Sequence, residues 1–311
     1  MEFHREYVRR MVGVRVVTRA KVNLFLRVLG VRADGYHDIE TIFQTVDLAD
    51  DLFFSPARSR GIEVRFSPPG VVAQLPAPGE DLIARAWRAL GGPARSDGVL
   101  VEVRKSIPIG GGLGGGSSNA AGTLAALNAM WNLGLDERAL GEAALSLGSD
   151  VPFLLRGGTA IGRSRGEALS PLVLGAPLWF VLGISATGLS TRAIYERWDP
   201  RRSSALQAAG LAAALESGRL AEIAQSLDND LEEPALAARP ELRKGKEALR
   251  EAGALGVVLS GSGPTLVGLA RDGEAADAIA AAVRASFDRV VVARSRATSI
   301  GLAPGARYDG P

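Results

Sequence analysis

The 311-residue chain is 47% hydrophobic and 5% aromatic, enough for one large domain or two ordinary ones around an aliphatic core. Its 36 basic and 34 acidic residues leave a formal charge of +2 with no clustered basic face, so nucleic acid is not an expected partner, and the absence of cysteine excludes disulfides, thiolate metal sites and cysteine nucleophiles. No apolar run approaches the roughly 18 residues of a membrane span, and Arg5, Arg9 and Arg10 among Glu2 and Glu6 leave no signal-peptide core, so a cytoplasmic protein without a membrane partner is expected.

Residues 14–18 and 23–28 read as strands, followed by a turn over 32–36 built on Asp34-Gly35. Residues 55–80 read as loops around a strand at 62–66. A helix over 81–90, with Asp81 as its cap, precedes an alternating strand at 99–105. Helices are expected over 117–131 and 136–147, with Gly148 ending the second. A buried strand at 179–184 opens the second half, then helices over 206–215, 220–227 and 241–251. Strands at 257–260 and 265–270 flank the turn Gly261-Ser262-Gly263, and a helix over 274–287 and a strand at 290–293 follow. The last fifteen or so residues, with Pro304, Gly305, Gly310 and Pro311, read as poorly ordered. Mixed rather than strictly alternating elements favour an α+β fold over a doubly wound sheet.

The run Pro108-Ile109-Gly110-Gly111-Gly112-Leu113-Gly114-Gly115-Gly116-Ser117-Ser118 places six glycines directly before a helix. Glycine permits turns that other residues avoid and lets N–H groups approach a ligand closely, and the helix start adds unpaired donors and a positive dipole end. The run is read as an anion site. It lacks the Gly-Lys-Ser/Thr ending of a Walker loop. It also lies too far along the chain for a dinucleotide fingerprint, although Asp136 falls at the spacing where that motif places an acidic residue. A flexible linker is the bland alternative, but linkers rarely abut an alanine-rich helix.

This loop resembles the phosphate-binding motif of the GHMP small-molecule kinases, named for galactokinase, homoserine kinase, mevalonate kinase and phosphomevalonate kinase. Further blocks resemble the branch of that family acting on a cytidylyl-linked polyol: Ala20-Lys21-Val22-Asn23-Leu24-Phe25-Leu26, Arg32-Ala33-Asp34-Gly35-Tyr36-His37-Asp38-Ile39, Gly148-Ser149-Asp150-Val151-Pro152-Phe153, Asn229-Asp230-Leu231-Glu232-Glu233-Pro234 and Leu259-Ser260-Gly261-Ser262-Gly263-Pro264-Thr265. They keep the family's order across roughly residues 15 to 290. The resemblance implies ATP as phosphoryl donor, Mg²⁺ with it, a small cytidylyl-linked polyol as substrate, and a step of non-mevalonate isoprenoid precursor synthesis. It also implies two domains with the active site in the cleft between them, residues 1–165 carrying the phosphate loop and 166–311 completing the substrate site. Another GHMP kinase for a different alcohol, or a nucleotide-binding relative without catalysis, are the alternatives.

Read alone, Asp150 is a turn or cap residue, with Pro152 turning the chain sharply away. The resemblance makes it the catalytic aspartate that accepts a proton from the substrate hydroxyl or orients it. Lys21 is a cation among Ala20, Val22 and Leu24, a setting that calls for an anion unless the strand is an edge with the lysine in solvent. The resemblance implies that Lys21 neighbours Asp150 and the hydroxyl. It also implies Asn23, Tyr36, His37, Thr191 and Tyr195 as substrate residues, with an aromatic from each half enclosing the base and His37 reading its edge. The family pattern has phenylalanine where Tyr195 stands and proline where Arg192 stands. Lys105 and the segment 81–83 are expected beside adenine, with Pro108 to Ser118 on the phosphates and the turn at 261–263 closing over them. Ser117 or Ser118, directly or through water, is the expected contact to the metal ion, since no paired carboxylates announce a protein site. His4 lies outside every motif.

Overall fold

The computed structural model of the chain describes residues 13–57, 59–68, 79–202 and 206–304. Two sheets carry the fold. The first, eight-stranded among the described residues, runs β12-β1-β2-β4-β3, from β1 (Val14–Val31), β2 (His37–Ala57), β3 (Ile62–Ser67), β4 (Gly98–Arg104) and β12 (Ile300–Pro304). It is extended by β5 (Thr159–Ser164) on β2, β6 (Ala168–Leu172) on β5, and the two-residue β8 (Asp228–Asn229) on β1. The second is antiparallel, β11 (Arg289–Arg294), β7 (Trp179–Ile184), β10 (Leu266–Ala270) and β9 (Gly256–Leu259) in that order. The α+β class read from the sequence holds. The expected division at residue 165 falls between β5 and β6, which pair with each other, and β12 returns from the C-terminal end to the first sheet.

The two strands predicted over 14–28 are one. β1 continues through Lys21 by means of register shifts against β2 between Arg19 and Lys21, between Asn23 and Phe25, and again near its end. These irregularities bend the strand without ending it, as bulges do. From Ala20 to Leu26 every residue is buried, because elements pack on both faces there. The turn at 32–36 is as predicted: Gly35 has φ +81° and Asp34 Oδ1 accepts from the Tyr36 N–H at 3.1 Å. The long β2 that follows has no clean alternation of apolar and polar residues, so sequence periodicity does not mark it as a strand.

Helix α1 (Leu82–Ala89) begins where expected, with Asp81 accepting from the Ala84 N–H. α2 (Gly115–Met130) begins two residues earlier than predicted, because Gly114 at φ +70° supplies the break and the next two glycines are already helical. Its Ala120, Ala121 and Ala126 are buried, and Gly122 lies so close to Thr18 that a side chain would collide. Small residues thus bring α2 down onto β1. α3 (Glu137–Leu147) is capped by Asp136 and ends at Gly148 as expected, the glycine there being extended at φ 161°.

The sharp exit expected at Pro152 is instead a helix start. α4 (Val151–Arg156) has the proline in its first turn, where a missing N–H costs nothing because no intrahelical partner exists for it.

In the second half, α5 (Thr191–Tyr195), α6 (Ala208–Ser217), α7 (Leu220–Ser226), α8 (Glu232–Ala238) and α9 (Glu241–Glu251) precede β9. α10 (Gly273–Ala282) stops short of the predicted 287. Phe287 leaves the helix to pack where Gly183 and Gly245 have no side chains, and that wedge ends the element early. Leu211 and Leu215 of α6 join one core with Val22 and Leu24 of β1 and Phe180 and Leu182 of β7, so the two sheets share an interior. Of the C-terminal residues expected to be poorly ordered, 305–311 lie outside the described residues, as do residues 1–12, whereas 300–304 form β12 against β1.

Candidate active site

Position in the sheet explains the site. On one edge of β1, β12 pairs with Val14 to Thr18 and β8 with Phe25 and Leu26, leaving the stretch between them without a strand. Backbone groups in such a gap need other partners. Both glycine loops supply them. The Lys21 N–H donates to Leu113 O at 3.0 Å, the Asn23 N–H to Ser260 Oγ at 3.2 Å, and Ser118 Oγ to Arg19 O at 2.6 Å. Ser260 Oγ in turn donates to Gly112 O at 3.0 Å, which links the loops to each other.

Within the first loop, alternate glycines take positive φ: Gly110 +69°, Gly112 +75° and Gly114 +70°. A Cβ on Gly112 would collide with Ser260 O, and one on Gly114 would stand 3.0 Å from Leu154 and 3.1 Å from Lys21 Cγ. The loop is therefore folded tightly over the lysine. Its last glycines lead into α2, whose first N–H groups have no intrahelical partner and carry the positive end of the helix dipole.

Lys21 is buried on a strand interior to the fold. Its Nζ donates to Asn23 Oδ1 at 2.7 Å, lies 3.4 Å from Asp150 Oδ2 and sits 5.6 Å from the centre of the Phe43 ring. Asn23 is held by donating to Thr41 Oγ1 at 2.8 Å, and Thr41 donates to Phe25 O. Asp150 precedes α4 but does not cap it, so its carboxylate, 33% exposed, is left for the ammonium and the cleft. A fixed cation beside a half-open carboxylate, in a cleft that Gly112, Gly114 and Ser117 also line, is an arrangement that can hold an anion and a hydroxyl together.

The cleft encloses about 750 Å³. Lys21, Asn23, Tyr36, His37, Asp150, Thr191 and Tyr195 all line it, together with Gly112, Gly114 and Ser117 of the loop. The remaining loop residues, Pro108, Ile109, Gly110, Gly111, Leu113, Gly115, Gly116 and Ser118, do not; Leu113 and Ser118 are buried with their side chains spent inside. Lys105 is not brought to the cleft either, and its ammonium pairs with the buried Asp50 at 2.6 Å. Gly261 and Ser262 of the second turn do line it, as expected, and Thr191 and Ser262 share a hydrogen bond of 2.9 Å between hydroxyls.

Phe43, Ser149 and Arg165 reach the cleft without having been singled out from the sequence. Arg165 lies on the β5–β6 turn with its guanidinium 5.0 Å from the centre of the Tyr36 ring. Only the pairing of β2 with β5 brings that turn near residue 36. Nothing local in sequence announces it.

His37 and Tyr195 pack with ring centroids 4.8 Å apart, and Trp198 meets His37 edge-on at 6.0 Å. Tyr36 is more than half exposed. Burial lowers the His37 pKa from its ordinary value, leaving a neutral imidazole with one donor and one acceptor nitrogen at neutral pH. Burial, and then the charge of Asp150, raise that of the Tyr195 hydroxyl. Because the unfolded chain binds the His37 proton first on acidification, this residue's contribution to stability falls as pH drops below its unfolded value of about 6.5. With only two histidines in the chain, an NMR titration against a His4→Gln control should give a His37 midpoint below 6.5. A midpoint at or above that value would show the ring to be solvated.

Among the described residues no group of three or more His, Cys, Asp or Glu could hold a metal ion, and no helix is long and apolar enough to cross a membrane. The GHMP kinases N terminal domain family matches residues 81–158, and the GHMP kinases C terminal family residues 211–289. The 4-diphosphocytidyl-2-C-methyl-D-erythritol kinase of Pelotomaculum thermopropionicum is 42% identical over 286 residues, covering 91% of this chain and 98% of its own. That of Nocardia farcinica is 41% identical over 306 residues, covering 95% and 97%.

Among solved structures, a 4-(cytidine 5'-diphospho)-2C-methyl-D-erythritol kinase matches with a TM-score of 0.75 at 35% identity, over 90% of this chain and 98% of that one. The mevalonate kinase of L. major matches at 0.71 and 19% identity over 90% and 95%, a likeness of fold alone. With both GHMP halves matched and relatives above 40% identity along nearly the whole length, the chain belongs to the 4-diphosphocytidyl-2-C-methyl-D-erythritol kinase family of the GHMP kinases.

Proposed function

We propose that this chain transfers the γ-phosphoryl group of ATP to the 2-hydroxyl of 4-diphosphocytidyl-2-C-methyl-D-erythritol, a step of non-mevalonate isoprenoid precursor synthesis. The observation that carries the reading is the Lys21–Asp150 pair, 3.4 Å apart, in a cleft lined both by residues of the glycine loops and by Tyr36, His37 and Tyr195. Residues 1–165 supply the phosphate loop and the pair, and residues 166–311 supply Thr191, Tyr195 and the second turn.

In this reading the loop's N–H groups hold the phosphates, an approach that side chains at Gly112 and Gly114 would block. Asp150 orients the hydroxyl and takes its proton as the new O–P bond forms and the bond to the ADP oxygen breaks. Lys21 faces the charge that develops on the transferred group. Mg²⁺ would enter with ATP, and among the described residues no carboxylate cluster stands ready to hold it. Ser117, which lines the cleft, is the hydroxyl that would hold it, since Ser118 donates to Arg19 O. The ion would supply neutralisation of phosphate charge.

The base is enclosed by Tyr36 and Tyr195, with His37 at its edge. Alanine at either tyrosine should then cost about 1–3 kcal/mol of polyol binding, seen in its KM with the KM for ATP little changed. His37→Ala should erode preference for cytosine over uracil, because groups built to read an edge are left unpaired by the wrong one. The deciding measurement is ADP release with cytidylyl-linked and free polyols. Equal rates on the two would move the activity to another alcohol.

A further inference from the structure

Lys105 Nζ lies 2.6 Å from Asp50 Oδ2 and donates to Ile107 O, also at 2.6 Å. The other carboxylate oxygen accepts from the Ser106 N–H at 2.6 Å and the Ile107 N–H at 2.8 Å. Both side chains are sealed from solvent, 5% exposed for Lys105 and 0% for Asp50. The carboxylate thus grips the backbone that leads into the glycine loop.

Its second grip is on the far end of the loop. Asn119, on the first turns of α2, has its amide nitrogen facing only acceptors when oriented by its surroundings: Asp50 Oδ2 at 2.9 Å, Thr18 Oγ1 at 3.0 Å and Gly115 O at 3.2 Å. Gly115 is the first residue of that helix, and a Cβ there would stand 2.9 Å from Lys105 Nζ. The ammonium fills the space directly under the helix start.

A buried ion pair gives little stability compared with apolar packing of the same volume, because desolvation offsets the attraction. What it does give is direction, since charge-assisted hydrogen bonds fix the groups they join. Here those groups are the two ends of an anion site that works only if its N–H groups converge.

We propose that Asp50, Lys105 and Asn119 form a positioning unit that sets the spacing between Ile107 and Gly115, and so the array of N–H groups that receives the nucleotide's phosphates, without touching the nucleotide. The inference rests on the kinase reading of the cleft. It assigns Lys105 a different task from a direct contact to ATP.

The two tasks make opposite predictions for Asp50→Asn, which releases the ammonium. A lysine that contacted ATP would bind it as well or better once freed. A positioning unit would be broken, and calorimetry on the full chain with Mg-ATP should show affinity about tenfold weaker or more. Lys105→Met and the double variant should lose the same factor as Asp50→Asn, because members of one unit are not additive. Polyol affinity, measured in parallel, should change less than about twofold.

Asn119→Ala leaves the ion pair intact and serves if the charge variants do not fold; severalfold weaker ATP binding with unchanged polyol binding is expected. Wild-type ATP affinity in a folded Asp50 or Asn119 variant would overturn the proposal. So would additive losses in the double variant, or an equal fall in polyol binding that marks a general structural role. Failure of the kinase reading is separately visible, as a wild-type protein that does not bind ATP.

Discussion

Asp150→Asn is expected to lower turnover by about 10²-fold or more while leaving both substrates bound. The substitution keeps the size of the side chain and removes its charge and its capacity to take a proton. It should not disturb α4, because the Asp150 side chain caps nothing there. Lys21 would keep its 2.7 Å hydrogen bond to Asn23, so the ammonium stays where it is. The effect should therefore fall on kcat, with KM for ATP and polyol and the melting temperature near their wild-type values. A coupled ADP assay with calorimetry for each substrate tests this. Turnover within a few fold of wild type would reduce Asp150 to a local structural residue and leave the transfer without its proton acceptor.

Much of this site is legible in sequence because its chemistry sits in short contiguous runs. The glycine loop carries its own signal, whereas Lys21, Asn23 and Asp150 stand out only through the family blocks that contain them, and all meet at the cleft. What sequence could not give is the gap along β1 that gathers them. That gap exists because β12 and β8 stop short of each other, and both come from the C-terminal half of the chain.

Lys105 shows the same limit from the other side. Its place beside the loop is evident from sequence, but its partner Asp50 is 55 residues away on β2, and only their pairing turns the ammonium inward. Single-residue patterns do not distinguish a lysine that reaches a ligand from one that braces the backbone.

Gly112→Val is expected to weaken ATP binding by about tenfold or more, through backbone geometry rather than lost contacts. At φ +75° the residue occupies a conformation that costs a side-chain-bearing residue about 1–3 kcal/mol, and more for a β-branched one. Each 1.4 kcal/mol is about a factor of ten in an equilibrium constant. Space adds to the strain: the new Cβ would meet Ser260 O and stand 3.0 Å from Gly263 O, both backbone atoms that cannot swing aside. Either the first loop lifts from β1, losing the Lys21 to Leu113 hydrogen bond, or the second turn shifts and takes Ser262 with it.

Gly115→Val makes a useful contrast. Gly115 is helical with no positive φ, and its obstruction is the Ile107 side chain and the Lys105 ammonium, so its loss should come from displacing the brace beneath α2. Nucleotide affinity measured by calorimetry, alongside polyol affinity as a control for folding, separates the cases. Wild-type ATP affinity in a folded Gly112→Val protein would remove the loop from the nucleotide site, because no side chain can occupy that position while both loops keep their places on β1.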